Sequence, residues 1–208
     1  MKNWTMAITA ACLTSGCATS IDHTPPMRVT VINTAQIDRP FDTVWDQLVR
    51  ELSSDFFVIN NIDKNSRLIN ISFSSNRPSD FIDCGITSRS TSSLLANGAV
   101  YTTADSASYR TTNSIGQPLN VSRTTKLNGR ANIYVAPEGS GTSVIVNAKY
   151  VLDINTTLRW LDGRIAGQSS GTVDFSTKSP ASSTANEPAC STKGVIETRI
   201  LALSGPKK

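Results

Sequence analysis

Between residues 142 and 154 the side chains Val144, Val146, Ala148, Tyr150 and Leu152 alternate with Ser143, Asn147 and Lys149. A period of two with an apolar and a polar set describes a strand that buries one face and wets the other. Pro137-Glu138-Gly139-Ser140-Gly141 precedes it, so it pairs with the strand at 129–136 in a hairpin. Serine and threonine make up about a quarter of the 208 residues, a bias toward solvated strands and turns. The composition therefore predicts mostly β structure.

One helix interrupts that pattern early. Phe41, Val44, Trp45, Leu48, Val49 and Leu52 follow i, i+3, i+4, i+7, i+8 and i+11, Pro40 can open the helix and Ser53-Ser54-Asp55 can end it. Ahead of it, 28–37 reads as a strand. After it, 56–62 and 68–73 read as a hairpin around Asp63-Lys64-Asn65-Ser66-Arg67. Residues 86–106 are Ser/Thr-rich and read as an irregular excursion. Weaker strand signals follow at 107–113, 120–127 and 171–178, and Val195, Ile196, Ile200 and Leu203 mark a short C-terminal helix before Gly205-Pro206. The expected fold class is α+β: an antiparallel sheet packed on an early amphipathic helix and a short C-terminal helix, helix-grip-like, in two layers.

The first residues are a targeting segment. Lys2, the apolar stretch 4–13 and Thr14-Ser15-Gly16-Cys17 have the order of a secretory signal. Leu13-Thr14-Ser15-Gly16-Cys17 resembles the lipobox of bacterial lipoproteins, in which the cysteine is diacylated and becomes the new N-terminus; Thr14 stands where that pattern has leucine. Cleavage after Ala18 is the alternative and releases a soluble periplasmic protein. The resemblance implies a signal peptide at 1–16 and a lipidated Cys17 heading a flexible tether through residue 27. A single domain then spans 28–205, with a short tail at 206–208. By the same resemblance, Ala18 after the cysteine implies the outer membrane.

With Cys12 and Cys17 assigned to the signal and the lipid, Cys84 and Cys190 remain in an oxidising compartment and are expected to pair. A metal or redox pair is the competing reading, without CxxC spacing and with His23 as the only histidine.

Pro40-Phe41-Asp42, Val44-Trp45-Asp46 and Leu48, followed by Asp63-Lys64-Asn65-Ser66 and Leu68-Ile69-Asn70-Ile71, resemble the helix-grip unit of BamC-like outer-membrane lipoproteins. In that family a helix with a buried tryptophan packs on a hairpin whose turn carries glycine where Arg67 stands here. The resemblance covers residues 28–75. It implies a lipid-anchored, non-enzymatic accessory protein with envelope proteins or the outer-membrane surface as partners. BamC-like proteins carry two grip domains where this chain has room for one.

Candidate chemistry is sparse. Gly167-Gln168-Ser169-Ser170-Gly171 matches the nucleophile elbow of hydrolases, but that elbow joins a buried strand to a helix and needs a downstream histidine, which this chain lacks. Asp80 and Asp83 can be read as an acid–base pair, or Asp83 and Gly85 as the turn that presents Cys84. Trp45 belongs to the helix core. Trp160, with Arg159 and Arg164, is the expected partner-facing cluster. Residues 18–83 carry six Lys/Arg against nine Asp/Glu, and residues 84–208 thirteen against seven, so the second part is basic. Arg110, Arg123, Lys126, Arg130, Arg159 and Arg164 are candidates for a face meeting anionic lipid, lipopolysaccharide or peptidoglycan, or for an ordinary solvated face. No metal site, cofactor or nucleic-acid motif is expected. The sequence expectation is a non-catalytic, outer-membrane-anchored accessory; the alternative is a soluble periplasmic carrier holding a small apolar ligand between helix and sheet.

Overall fold

A computed structural model describes residues 19–27, 29–91, 94, 96–182 and 188–205. The elements in its first part are β1 (Thr19–Thr24), β2 (Thr34–Ile37), α1 (Phe41–Ser54), β3 (Val58–Asp63), β4 (Leu68–Ser75), β5 (Ile82–Asp83), β6 (Ile86–Thr91) and β7 (Ala99–Thr102). The second part holds β8 (Ala107–Thr112), β9 (Pro118–Glu138), β10 (Gly141–Trp160), β11 (Ile165–Ser176), β12 (Ser191–Thr192) and α2 (Val195–Ser204). Residues 1–16, read from the sequence as a signal peptide, Cys17 and the tail 206–208 lie outside the described residues.

The hairpin of β9 and β10 is the spine. Its 21 and 20 residues stay in register from Gly141 opposite Glu138 to Trp160 opposite Leu119. At about 3.3 Å per residue it runs about 65 Å. The stretches read from sequence as separate strands at 120–127 and 129–136 are one strand. The alternation passes through Gly129 unbroken, because the Phe73 ring of β4 fills the space a side chain there would take.

Along this hairpin the sheet changes partners, and two regions result. At the base, β3 and β4 flank the later part of β9, and β2 flanks the start of β10. In the arm, β8 flanks the start of β9, and β11 flanks β10 from Lys149 to Arg159. The base buries its inner face under the helices. Val44, Trp45, Leu48 and Leu52 of α1 and Ile196 and Ile200 of α2 join Ile69, Ile71, Ile133, Val135, Val146 and Leu152 in one core. Each such side chain contributes about 1.5–3 kcal/mol by leaving water.

Two features tie the base together. The Cys84–Cys190 disulfide closes a separation of 106 residues, with both cysteines fully buried beside the β5–β12 pair. Glu197 of α2 is also fully buried, and it is held by hydroxyls. Tyr150 Oη donates to its Oε2 at 2.9 Å and Thr177 Oγ1 to its Oε1 at 2.7 Å, while Thr192 Oγ1 donates to Tyr150 Oη at 3.0 Å. Burial, and next the Glu197 carboxyl, push the Tyr150 phenol far above its ordinary range.

The arm is covered by a sheet instead. Strands β1, β6 and β7 form a three-stranded sheet in the order β1-β6-β7, and Arg123 of β9 fastens it. Arg123 is 8% exposed; its Nη2 donates to Thr103 O at 2.6 Å and its Nη1 to Asp105 O. Tyr101 of β7 stacks on Tyr109 of β8 at 5.7 Å, and the Arg89 guanidinium lies 4.8 Å over the Tyr109 ring.

Three expectations are corrected. The fold is not a two-layer α+β helix-grip: strands take 55% and helices 15%, in large antiparallel sheets that extend well past the helices. The physical cause is the length of the hairpin, which outruns the area two short helices cover. Residues 17–27 are not a free tether over their described part, because 19–24 pair with β6 and the Met27 N–H reaches Asp83 Oδ2 at 3.1 Å. Residues 86–106 are not an irregular excursion, since they contain β6 and β7. The folded unit therefore starts at β1, before residue 28.

Candidate functional site

The even-numbered residues of β9 and the odd-numbered residues of β10 point away from both covering layers, and they make a long polar face. It begins at the base with an amide row in which Asn60 Nδ2 donates to Asn70 Oδ1 at 3.1 Å and Asn70 Nδ2 to Asn132 Oδ1. Next to it Ser72, Arg130 and Lys149 stand opposite one another across β4, β9 and β10. Lys149 pairs with Asp174 at 2.8 Å, whereas Arg130 has no ion-pair partner among the described residues. An open cleft of about 760 Å³ lies here, with Phe56 and Val58 on one side and Asn128, Arg130, Lys149 and Val151 among its lining. That volume lies within the usual range of small-molecule sites.

Further along, Lys126 shares this face, and near the far end Arg110, Asn120 and Arg159 form a row across β8, β9 and β10. Arg110 Nε donates to Asn120 Oδ1 at 3.3 Å. Four of the six basic candidates thus gather on one face. Arg123 does not, because its odd position in β9 turns it inward, where it is the latch of the small sheet.

The arm ends in two adjacent turns. Residues 113–117 join β8 to β9, and residues 161–164 join β10 to β11. Asn113 Oδ1 accepts the N–H groups of Ile115 and Gln117 in the first. In the second, Trp160 N–H bonds to Arg164 O at 2.8 Å and Arg159 Nη1 to Gly163 O at 3.1 Å. The Arg164 N–H and then its guanidinium, 2.7 Å from Oδ2, hold the Asp162 carboxyl below the usual range. A cleft of about 340 Å³ opens between the turns, lined by Gln117, Pro118, Trp160, Leu161, Asp162 and Arg164. Of the expected trio, Trp160 and Arg164 line this cleft, and Arg159, on the outer face, reaches the same turn through Gly163 O. Beside it Ile115, Leu161 and Ile165 are 75%, 55% and 53% exposed.

The other candidates have structural places. Asp83 Oδ1 accepts the Gly85 N–H at 2.8 Å and its Oδ2 the Met27 N–H, so it shapes the turn beside the disulfide. Asp80 pairs with Arg77 at 3.5 Å at the surface, and neither carboxyl bonds to the other. Ser169 lies within β11, with no strand-to-helix elbow. His23, read as part of the tether, sits on β1 with Nδ1 3.5 Å from Thr87 Oγ1. Among the described residues no group of three or more His, Cys, Asp and Glu is arranged to hold a metal ion. No described helix is long and apolar enough to cross a membrane. Sequence reasoning missed Lys149 and the asparagine row, which only the register of four strands assembles.

Compared with known proteins, the chain matches no family model, no curated protein and no solved structure. Its class is therefore defined by the structure: an antiparallel β protein with a long two-region sheet, helices over one region and a second sheet over the other.

Proposed function

We propose that the chain is an outer-membrane lipoprotein, anchored through an acylated Cys17, that serves the cell envelope as a non-catalytic accessory by holding an envelope protein against the outer face of its long hairpin. The lipobox-like Leu13-Thr14-Ser15-Gly16-Cys17 supports the anchor. The observation that carries the binding role is the alignment of Arg110, Lys126, Arg130 and Arg159 on one solvent-facing strand surface beside the 760 Å³ cleft. Cations in line on a rigid sheet provide steering and register for an acidic partner surface.

Two measurements test the two parts. Globomycin treatment and Cys17→Ser should each stop acylation in an intact-mass measurement and release the protein from membranes; an unchanged mass and location refute the anchor. A photo-crosslinker at Ser122 or Ser72, on the outer face, should capture one envelope protein reproducibly, and Lys126→Glu with Arg130→Glu should abolish the crosslink. Capture that survives the charge reversal refutes the face.

The space between α1 and the sheet is filled by Trp45, Leu48, Leu52, Ile71 and Ile133, all buried in the core. This packing gives the ligand-carrier alternative no support.

A further inference from the structure

We infer that the twin-turn tip of the arm is a membrane-contact site, a wedge of apolar side chains backed by arginines that rests on the headgroup layer of an anionic bilayer. The inference rests on the anchored reading only for orientation, since the contact itself needs no acyl chain.

The chemistry of the tip is graded along the arm. Ile115, Leu161 and Ile165 are its outermost large apolar side chains and are exposed, and Trp160 lines the cleft behind Leu161. Both turns are closed by internal hydrogen bonds, so these side chains are displayed by ordered backbone. Arg110 and Arg159 stand immediately behind, on the row of Asn120, and Arg164 stands at the second turn. Asp162 is the acidic group there and is taken up by Arg164. Apolar tips with an aromatic and guanidinium groups just above them match the layering of a bilayer surface, where indole and guanidinium favour the headgroup level and aliphatic chains the acyl boundary. A protein partner of the acidic kind suits the Lys126 and Arg130 region, where the exposed Phe56 and Val58 line a cleft beside the cations rather than stand at a projecting turn.

The path of the N-terminus points the same way. Along the arm, Thr103 lies at Arg123, Tyr101 and Arg89 lie at Tyr109, and the Asn97 N–H bonds to Arg110 O at 3.3 Å. The small sheet thus runs from the base toward the tip as β6 rises from Ile86 to Thr91. Strand β1 is antiparallel to β6, with Thr24 opposite Ile86 at the base side and Thr19 opposite Thr91 at the tip side. Cys17 is two residues before Thr19, and two residues span about 7 Å at most. An acyl chain on Cys17 would thus be attached close to the tip-side end of the small sheet.

The test uses the chain from residue 18 to 208, which holds every described residue and has no acylation site. It is mixed with vesicles of phosphatidylcholine alone or with a quarter phosphatidylglycerol, and binding is read by flotation. The expected result is binding to the anionic vesicles, weakened by salt, with Trp160 quenched by bromine-labelled lipid while the core residue Trp45 is not. Leu161→Asp with Ile165→Asp should lower the bound fraction about tenfold with an unchanged circular dichroism spectrum. Failure to float with either vesicle overturns the inference, as does binding that the double substitution leaves intact. Acylation is scored separately by the mass of the native protein, so a failed anchor and a failed tip give different results.

Discussion

Base and arm share the same two strands, yet they are stabilised by different means. In the base, β9 and β10 turn Ala131, Ile133, Val135, Val144 and Val146 inward, and helices cover them. In the arm the inward series of β9 is Leu119, Val121, Arg123 and Thr125, and a sheet of Ser/Thr-rich strands covers it. Apolar burial dominates the first, whereas backbone pairing, stacked tyrosines and one buried guanidinium hold the second. A single hairpin can thus pass from an aliphatic core to a polar one without breaking register, because register depends on the ladder and the cover depends on the side chains.

The largest effect should come from the disulfide that ties the base together. Cys84→Ala with Cys190→Ala should cost about 4–5 kcal/mol in the chain-entropy account, read as a lowered denaturant midpoint. An unchanged midpoint would make the bridge dispensable to both regions.

Arg123→Met should cost about 2–3 kcal/mol, because two charge-assisted bonds to backbone carbonyls, one of them buried, are lost. Its signature is local. Amide exchange should accelerate across β6 and β7 while β4 and β10 near the helices stay protected; uniform acceleration would mean the two covers are one cooperative unit.

Gly129→Ala should cost about 2 kcal/mol, since the new methyl meets the buried Phe73 ring and the core must shift. A half-buried glycine of the arm such as Gly171, with open space around it, should tolerate the same change.

Tyr150 gives the comparison a pH dependence. Its phenol is raised by burial above the unfolded value of about 10, so the stability it contributes is complete below that pH and is lost as pH rises past it. Tyrosinate absorbance should therefore stay silent for Tyr150 until the base unfolds, and Tyr150→Phe should flatten the alkaline limb.

The smallest effect should be a gain. Arg67 adopts φ 61° in the β3–β4 turn, where the Asp63 carboxylate binds the N–H groups of Asn65 and Ser66. Arg67→Gly should stabilise by about 0.5–1 kcal/mol, measured as a raised midpoint, because an L side chain is strained there.

Much of the base was legible because its signals are local. The Phe41 to Leu52 stripe appears as α1, and the alternations at 68–73 and 142–154 appear as β4 and β10. The arm was harder. Strand β1 contains one aliphatic residue and β6 one, so neither shows an apolar period, and both are strands because their backbones pair with each other. Arg123 carried a signal that went unused: it keeps phase with Val121 and Leu127, and a charge in phase with the buried set belongs inside. Arg159, Trp160 and Arg164 could be picked out individually, but their meeting with Ile115 depends on two turns 45 residues apart arriving side by side.

By itself the sequence determined the period of β4 and β10, the helix opened by Pro40, the two cysteines left to pair, and the basic second part. Those are properties of neighbours along the chain, where side-chain spacing and backbone sterics act directly. The tertiary structure alone decided that β9 and β10 run unbroken from base to tip, that Arg123 latches a second sheet, and that β1 begins at the tip-side end of that sheet. Each depends on which distant strands pair, and that choice is made by burial summed over the whole fold.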